Sequence, residues 1–307
     1  MQLLTAEEIV RLSKASVGQL ETLRTLASPS SCSALPSILR LWYDYDDACE
    51  FFLMDSAAFL LLNPFREDAY WSASGRVQGK DEWHKFSTFI ESRTINELSL
   101  LSEESKNAIV NYSPNSLVSD NDPGLYDYIY DVDMLVACKG PEFRHLRRQV
   151  STFFKIYGPH TKIHVHDDLA KLSKKDVIHL FNDWLSYGTD GASSPEAEEY
   201  ALDKLFLSDS QKYFGKLQIT ELRYKSHLVG FSVCELPESG FAVNHFQKCN
   251  LNLTGISYYL FYASLEHLQR KDIKFLNYQE DNNIPGLRQF KEGLRPAKVN
   301  KNYLLTL

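Results

Sequence analysis

The order of elements written into the last third of the sequence constrains the fold more than any other feature. Leu217–Tyr224, Leu228–Glu235 and Phe241–Phe246 are successive runs of strand-favouring residues, joined by short turns at Lys225–His227 and Pro237–Gly240. Thr254–Arg270 then places Ile256, Tyr259, Leu260, Ala263 and Leu268 at helical spacing. Phe275–Tyr278 resumes a strand, a short helix opens at Pro285, and Val299–Leu305 reads as a final strand. This β-β-β-α-β-α-β order predicts the α+β class, with a mixed, mainly antiparallel sheet flanked by helices.

Within that order, Asn277–Pro296 is the densest in chemistry. Pro285 suits the first turn of a helix, where its missing N–H would be unpaired anyway, and Gly293 and Pro296 are stop signals. On that helix Leu287, Phe290 and Leu294 fall at i, i+3 and i+7, while Arg288, Lys291 and Arg295 repeat the spacing about 100° round the axis. One face suits a core and the adjacent one suits anions. Spacing alone favours a surface helix with solvated charges.

At 307 residues the chain is long for one core. Two domains are expected, 1–160 and 161–307. In the first, a helix is expected near residues 5–26, where Thr5-Ala6-Glu7-Glu8 has capping-box spacing, followed by a Ser/Pro-rich loop at Ser28–Pro36. Ile38–Tyr43, Phe51–Met54 and Ala58–Leu62 read as strands of a meander, Arg66–Gly79 as a polar loop, and Asp81–Ser92 and Ser102–Asn111 as helices. Asn121–Gly124 makes a turn before a strand at Tyr126–Tyr130. Pro141–Tyr157 is a second amphipathic helix. Its stripe Phe143, Leu146, Val150 and Phe153 opposes Arg144, Arg147, Arg148 and Lys155, with Glu142 the one acid, so it is a second candidate for anion contact. A strand at Lys162–His166, helices at Ser173–Ser186 and Ser194–Phe206, and a loop at Tyr187–Ser193 complete the middle.

Composition excludes several classes. A net charge of −7 argues against sequence-independent nucleic-acid binding by the whole surface. Cys32, Cys49, Cys138, Cys234 and Cys249 are odd in number and widely spread, with no Cys-x-x-Cys, which suggests neither a disulfide framework nor a zinc site. No signal segment opens the chain, and the most apolar stretch, Phe51–Phe65, is broken by Asp55 and Asn63 and is too short to span a bilayer. A cytoplasmic protein is expected. His164-x-His166 before Asp167-Asp168 lacks a third placed ligand, so no metal is expected there. Cys249 near His245 reads as a buried thiol rather than a nucleophile, and Tyr126, Tyr128 and Tyr130 on one strand face read first as packing.

The strand order is that of the acyltransferase fold of the GNAT superfamily, and the motifs resemble the C-terminal domain of phosphatidylglycerol lysyltransferases over roughly residues 30–307. The resemblance rests on Tyr128-Ile129-Tyr130, Asp133, Gly140 and the Arg144–Phe154 run, and above all on Asn277, Asp281, Gly286-Leu287-Arg288, Lys291 and Pro296. Where the family has His-x-Glu-Lys-Ala-Asp, this chain has His245-Phe246-Gln247-Lys248-Cys249-Asn250, with both acids replaced by amides. The resemblance implies two tandem GNAT-like folds and transfer of an aminoacyl group from aminoacyl-tRNA to a lipid hydroxyl, without a metal. Such a transfer needs a base, oxyanion donors and cations for phosphate. The side chains offered are Asp281 or Glu280 as base, Asn277 to orient, and Arg288 and Lys291 for phosphate or oxyanion. Arg144, Arg147 and Arg148 form a second cationic surface, with His245 and Lys248 as further anion contacts. A second reading takes acyl-CoA as donor, its pyrophosphate at Asn252–Ser257 on Thr254 and Gly255, although that loop has a single Gly. A third is a non-catalytic module that binds a lipid head group or tRNA.

Overall fold

Along the chain run β1 (Val10–Arg11), α1 (Val17–Leu26), α2 (Pro36–Ile38), β2 (Glu50–Leu53), β3 (Ala57–Leu62), β4 (Tyr70–Gly75) and α3 (Lys80–Glu91). Next come β5 (Glu97–Leu101), α4 (Glu103–Val110), β6 (Leu117–Asp120), β7 (Asp127–Asp131), α5 (Val132–Ala137), α6 (Arg144–Tyr157) and β8 (Thr161–His166). Then follow α7 (Lys174–Leu185), α8 (Pro195–Leu205), β9 (Lys216–Tyr224), β10 (His227–Leu236) and β11 (Phe241–Cys249). The last elements are α9 (Ile256–Gln269), β12 (Phe275–Asn277), α10 (Pro285–Gly293), β13 (Lys298–Asn300) and β14 (Tyr303–Thr306). The structure is a computed structural model that describes residues 9–27, 32–44, 47–62, 70–75, 80–91, 97–186, 195–237 and 240–306.

Two seven-stranded mixed sheets result, ordered β1-β2-β3-β4-β5-β14-β6 and β13-β7-β12-β11-β10-β9-β8. Each is flanked by helices, the tandem GNAT-like α+β architecture. One compact unit comprises Met1–Tyr126, Tyr200–Tyr213 and Asn300–Leu307, the other Asp127–Glu199 and Phe214–Val299. The expected boundary at residue 160 falls inside the second unit. The reason is β7, which pairs with β12 through Leu276↔Tyr130 and so belongs to the second sheet, although it lies before that boundary.

The strands at 216–249 form within a few residues of where alternation and turn residues put them. Other expectations need correction. Ile38–Tyr43 is helical, not a strand: Pro36 starts α2, and Leu39–Tyr43 continue it as a π-helical turn. Leu39, Arg40 and Leu41 are all buried, so the segment has no polar face to reveal its period. Val299–Leu305 is not one strand. β13 lies in the second sheet and β14 in the first, and between them Lys301 pairs with Asp120 at 2.7 Å and Asn302 donates to the Leu125 carbonyl at 2.5 Å. β4 occupies part of the expected polar loop, and β5, β6 and α5 were not anticipated. Thr5–Glu8 lie outside the described residues; the capping box observed joins Ser16 and Gln19 at the start of α1. The loops expected at 28–36, 66–79, 187–193 and 237–240 likewise fall partly or wholly outside them.

Aromatic packing forms the core of the first unit. Phe86 of α3 stacks on Phe59 with centroids 3.6 Å apart and also meets Phe52 and Trp71 at 5.8 and 5.9 Å. Fully burying such rings is the largest apolar gain a single side chain offers. Phe86→Ala is expected to lower stability by about 3–5 kcal/mol, read as a reduced urea midpoint at unchanged m-value. A midpoint within error of the parent would show that the cluster does not support the unit.

Candidate active site

The candidate site grows from the place where β12 stops. Gln279, Asn282 and Asn283 have φ of 57°, 51° and 58°, a left-handed conformation that Asn tolerates better than most residues and that folds the chain back sharply before α10. Asn277 steadies the turn: its Oδ1 accepts from the Gln279 N–H at 2.7 Å, and its Nδ2 donates to Asp127 at 3.1 Å.

Lys291 reaches back from α10 and is only 4% exposed. Its ammonium donates to the carbonyls of Tyr278, Gln279 and Glu280 at 2.6, 3.1 and 2.5 Å. The same nitrogen lies 5.2 and 5.6 Å from the ring centroids of Tyr278 and Tyr128. A buried ammonium is tolerated because its donors are all used.

Asp281 is fully buried and equally saturated. It accepts from Arg288 Nε and Nη2 at 2.8 Å each, from the Tyr128 hydroxyl at 2.7 Å and from the Asn283 N–H at 2.8 Å. Burial alone would raise its carboxyl, but the bonds from Arg288, Tyr128 and Asn283 outweigh it and hold the group below the usual carboxylate range. Burial and the same carboxylate push the Tyr128 phenol up to about 12. Glu280, next to it, behaves in the opposite way: burial raises its carboxyl, and the Lys291 charge offsets this only in part.

β11 and β12 diverge beside this group. They pair in parallel from Phe241↔Phe275 to Val243↔Asn277, after which β12 ends while β11 runs on to Cys249 beside β10. At the point of divergence the β10–β11 register shifts from Val233↔Phe246 to Cys234↔Asn244, leaving His245 as an extra residue in a β-bulge. The Gln279 side-chain amide donates to the Asn244 carbonyl across the opening.

The other expected site residues lie elsewhere. Arg144 and Arg148 are exposed on α6, and Arg147 donates to the carbonyls of Cys138 and Gly140 at 2.5 and 2.7 Å, closing the C-terminal end of α5. Among the described residues no ion pair or hydrogen bond joins these arginines to Asp281, although Tyr258 of α9 touches both helices, His145 at 3.1 Å and Phe290 at a centroid distance of 4.9 Å. His245 is buried with Nε2 2.8 Å from Glu235, and Lys248 pairs with Glu198 at 2.8 Å beneath the Trp184 ring. Internal partners therefore hold both expected anion contacts. Gly255 caps α9 at φ 82°, and a Cβ there would stand 2.5 Å from the Gln149 carbonyl oxygen of α6, so the turn carrying Thr254 and Gly255 is packed directly on that helix.

Cys249 faces Ser257, and burial pushes its thiol up to about 11, which suits a packed side chain and not a nucleophile. His166 lies 3.3 Å from Glu221, and no three metal-ligating side chains converge among the described residues. Tyr128, Asp127, Asn283 and Gln279 were not expected in the site. Asp127 and Tyr128 stand 150 and 153 residues from their partners, where no spacing rule applies.

The family model for phosphatidylglycerol lysyltransferase, C-terminal, matches residues 117–306. The chain belongs to that family. The match spans β6 to β14 and so includes the whole Asn277–Lys291 group. Among solved structures, a conserved protein of unknown function from Bacteroides thetaiotaomicron is similar at TM-score 0.81 and 18% identity, over 95% of this chain and 98% of that one. L-PGS from Bacillus licheniformis is similar at TM-score 0.63 and 15% identity, over 89% and 86%. A tandem GNAT protein from the clavulanic acid biosynthesis pathway aligns at TM-score 0.50 and 9% identity, over 85% and 82%. At these identities the likeness is one of fold. Comparison with curated proteins gives no match. No helix among the described residues is long and apolar enough to cross a membrane.

A carboxylate held low stabilises the fold above about pH 4 and loses that contribution as pH falls through its native pKa. Asp281→Asn in this lysyltransferase-family chain is expected to cost roughly 1–3 kcal/mol at neutral pH. It is also expected to flatten the loss of melting temperature below about pH 4. Parallel acid limbs for parent and variant would refute the assignment.

Proposed function

We propose that the chain transfers an aminoacyl group from a phosphate-bearing donor of the aminoacyl-tRNA type to a hydroxyl or amine acceptor, with Glu280 as the base. The observation that carries this reading is the split between two adjacent carboxyls. Asp281 is saturated and held low, which makes it a poor proton acceptor and a good structural anchor. Glu280 is held high by burial beside Lys291, closer to the operating pH of a general base. Family membership and the divergence of β11 from β12 after Val243 support the same site.

In this reading Glu280 takes the proton of the acceptor as its oxygen or nitrogen attacks the ester carbonyl. The ester C–O bond to the donor ribose breaks, and the proton passes to the departing ribose oxygen. The β11 edge that β12 leaves provides backbone donors for the oxyanion. Arg288, its side chain still 37% exposed, is the cation within reach of donor phosphate, whereas Lys291 is committed to three carbonyls and shapes the turn. An acyl-CoA donor is disfavoured because the turn at Gly255 is packed on α6 where a pyrophosphate would sit.

The test measures transfer of a labelled aminoacyl group from aminoacyl-tRNA to phospholipid and amine acceptors. Glu280→Gln is expected to lower kcat by about 100-fold or more with an unchanged melting temperature. It should also abolish the acid limb of the pH–rate profile, which reflects the base losing activity as it is protonated. A variant with full rate would end this assignment. Micromolar binding of acetyl-CoA by calorimetry, followed by acetyl transfer, would replace the donor.

A further inference from the structure

We propose that the first sheet holds a second ligand site, a small cleft that takes the ammonium group of a short aliphatic amine. β4 and β5 pair in parallel at Trp71↔Leu98. Past that pair, toward their carboxyl ends, lies a cavity of about 50 Å³ whose polar lining comes from Ser33, Ser74, Ser102 and Glu104.

An irregularity in β5 shapes this cleft. Along the ladder with β14, Leu101 faces Tyr303 and Leu98 faces Leu305, so β5 carries one residue more than its partner, a β-bulge. Leu100 in the bulge has φ 54°, a left-handed conformation that a branched side chain rarely adopts, and it lines the cavity. Backbone held in such a state gathers beside ligand sites, where it shapes the space a ligand fills.

The side-chain oxygens around the cavity are acceptors. The Ser74 hydroxyl donates to the Leu26 carbonyl at 2.8 Å. The Ser102 hydroxyl donates to Ser105 Oγ at 3.0 Å, which donates in turn to the Gly75 carbonyl at 2.9 Å. The hydrogens of Ser74 and Ser102 are thus committed, while lone pairs on both oxygens stay open. Glu104, exposed in the first turn of α4, adds a carboxylate. Among the described residues no lysine, arginine or histidine lines the cavity. The start of α4 does not turn it into an anion site. Ser102 already caps the helix by accepting from the Ser105 N–H at 3.1 Å, and Glu103 and Glu104 place two carboxylates there. A ligand must therefore bring hydrogen-bond donors and a positive charge. Leu26 and Leu100 offer a short carbon chain apolar contact, and the volume of about 50 Å³ holds roughly three to five water-sized groups.

All of these residues belong to the first unit, and the site does not depend on the transfer reading, so the test needs neither donor nor acceptor. The intact chain is titrated at matched ionic strength with propylamine, which is protonated at neutral pH. Propanol and propionate, nearly the same in shape, change only the charge. Propylamine is expected to raise the melting temperature saturably, with half-saturation on the order of 1 mM. Propanol and propionate are expected to give no saturable rise. Glu104→Gln should weaken propylamine by about 10-fold, and Ser74→Val should weaken it as well. Glu103→Gln, which removes an exposed charge beside the cleft but outside its lining, should leave it unchanged. Circular dichroism checks that each variant is folded. If Ser74→Val unfolds, Glu104→Gln decides, because it alters only an exposed side chain. No saturable response to propylamine overturns the proposal. So does propanol or propionate acting at the same concentration as propylamine, or a propylamine response that is the same in Glu104→Gln as in the parent.

Discussion

One buried ammonium decides how the second sheet ends. With Lys291 bonded to three consecutive carbonyls, residues 278–280 cannot continue β12 as a strand, because their acceptors are turned toward a single point. The turn that follows, the position of α10 and the geometry round Asp281 all descend from that convergence. Such an ammonium is costly to bury and repays the cost only where every donor is met. The Tyr130 hydroxyl, donating to the Lys291 carbonyl at 2.8 Å, ties the same residue to β7 from its other end.

The neighbouring carboxyls show how one turn separates structure from chemistry. Asp281 and Glu280 share a stretch of chain, yet the bidentate Arg288, the Tyr128 hydroxyl and a backbone N–H all reach the first. The second meets burial with the Lys291 charge as its main offset. Opposite displacement of two adjacent acids is the physical condition under which one can be an anchor and the other a base.

Much of the second unit was legible because its signals are local. The strands from Leu217 to Phe246 alternate and are punctuated by turn residues, and Asn277, Asp281, Arg288 and Lys291 lie close enough in sequence for helical spacing to gather them. The roles of these side chains are less legible. Side-chain chemistry cannot show that Lys291 would be consumed by backbone carbonyls, that Lys248 would be paired with Glu198, or that His245 would be enclosed with Glu235. Nor could it find Tyr128, which tertiary folding alone brings to Asp281. Ile38–Tyr43 hides its period for a different reason: Ile38, Leu39, Arg40 and Leu41 are buried in succession, which erases the contrast from which a period is inferred.

The placement of β14 has a consequence for the order of folding. β6 pairs with β14, and β14 stands between β5 and β6 in the first sheet. Leu117–Asp120 must therefore wait for Tyr303–Thr306, which are made after every strand of the second sheet. Long-range pairing of this kind is slow to close, and it leaves strand edges exposed in the interval. During synthesis the first sheet would remain open beside β5 until the last strand arrives, a period in which a chaperone or intramolecular shielding would matter most.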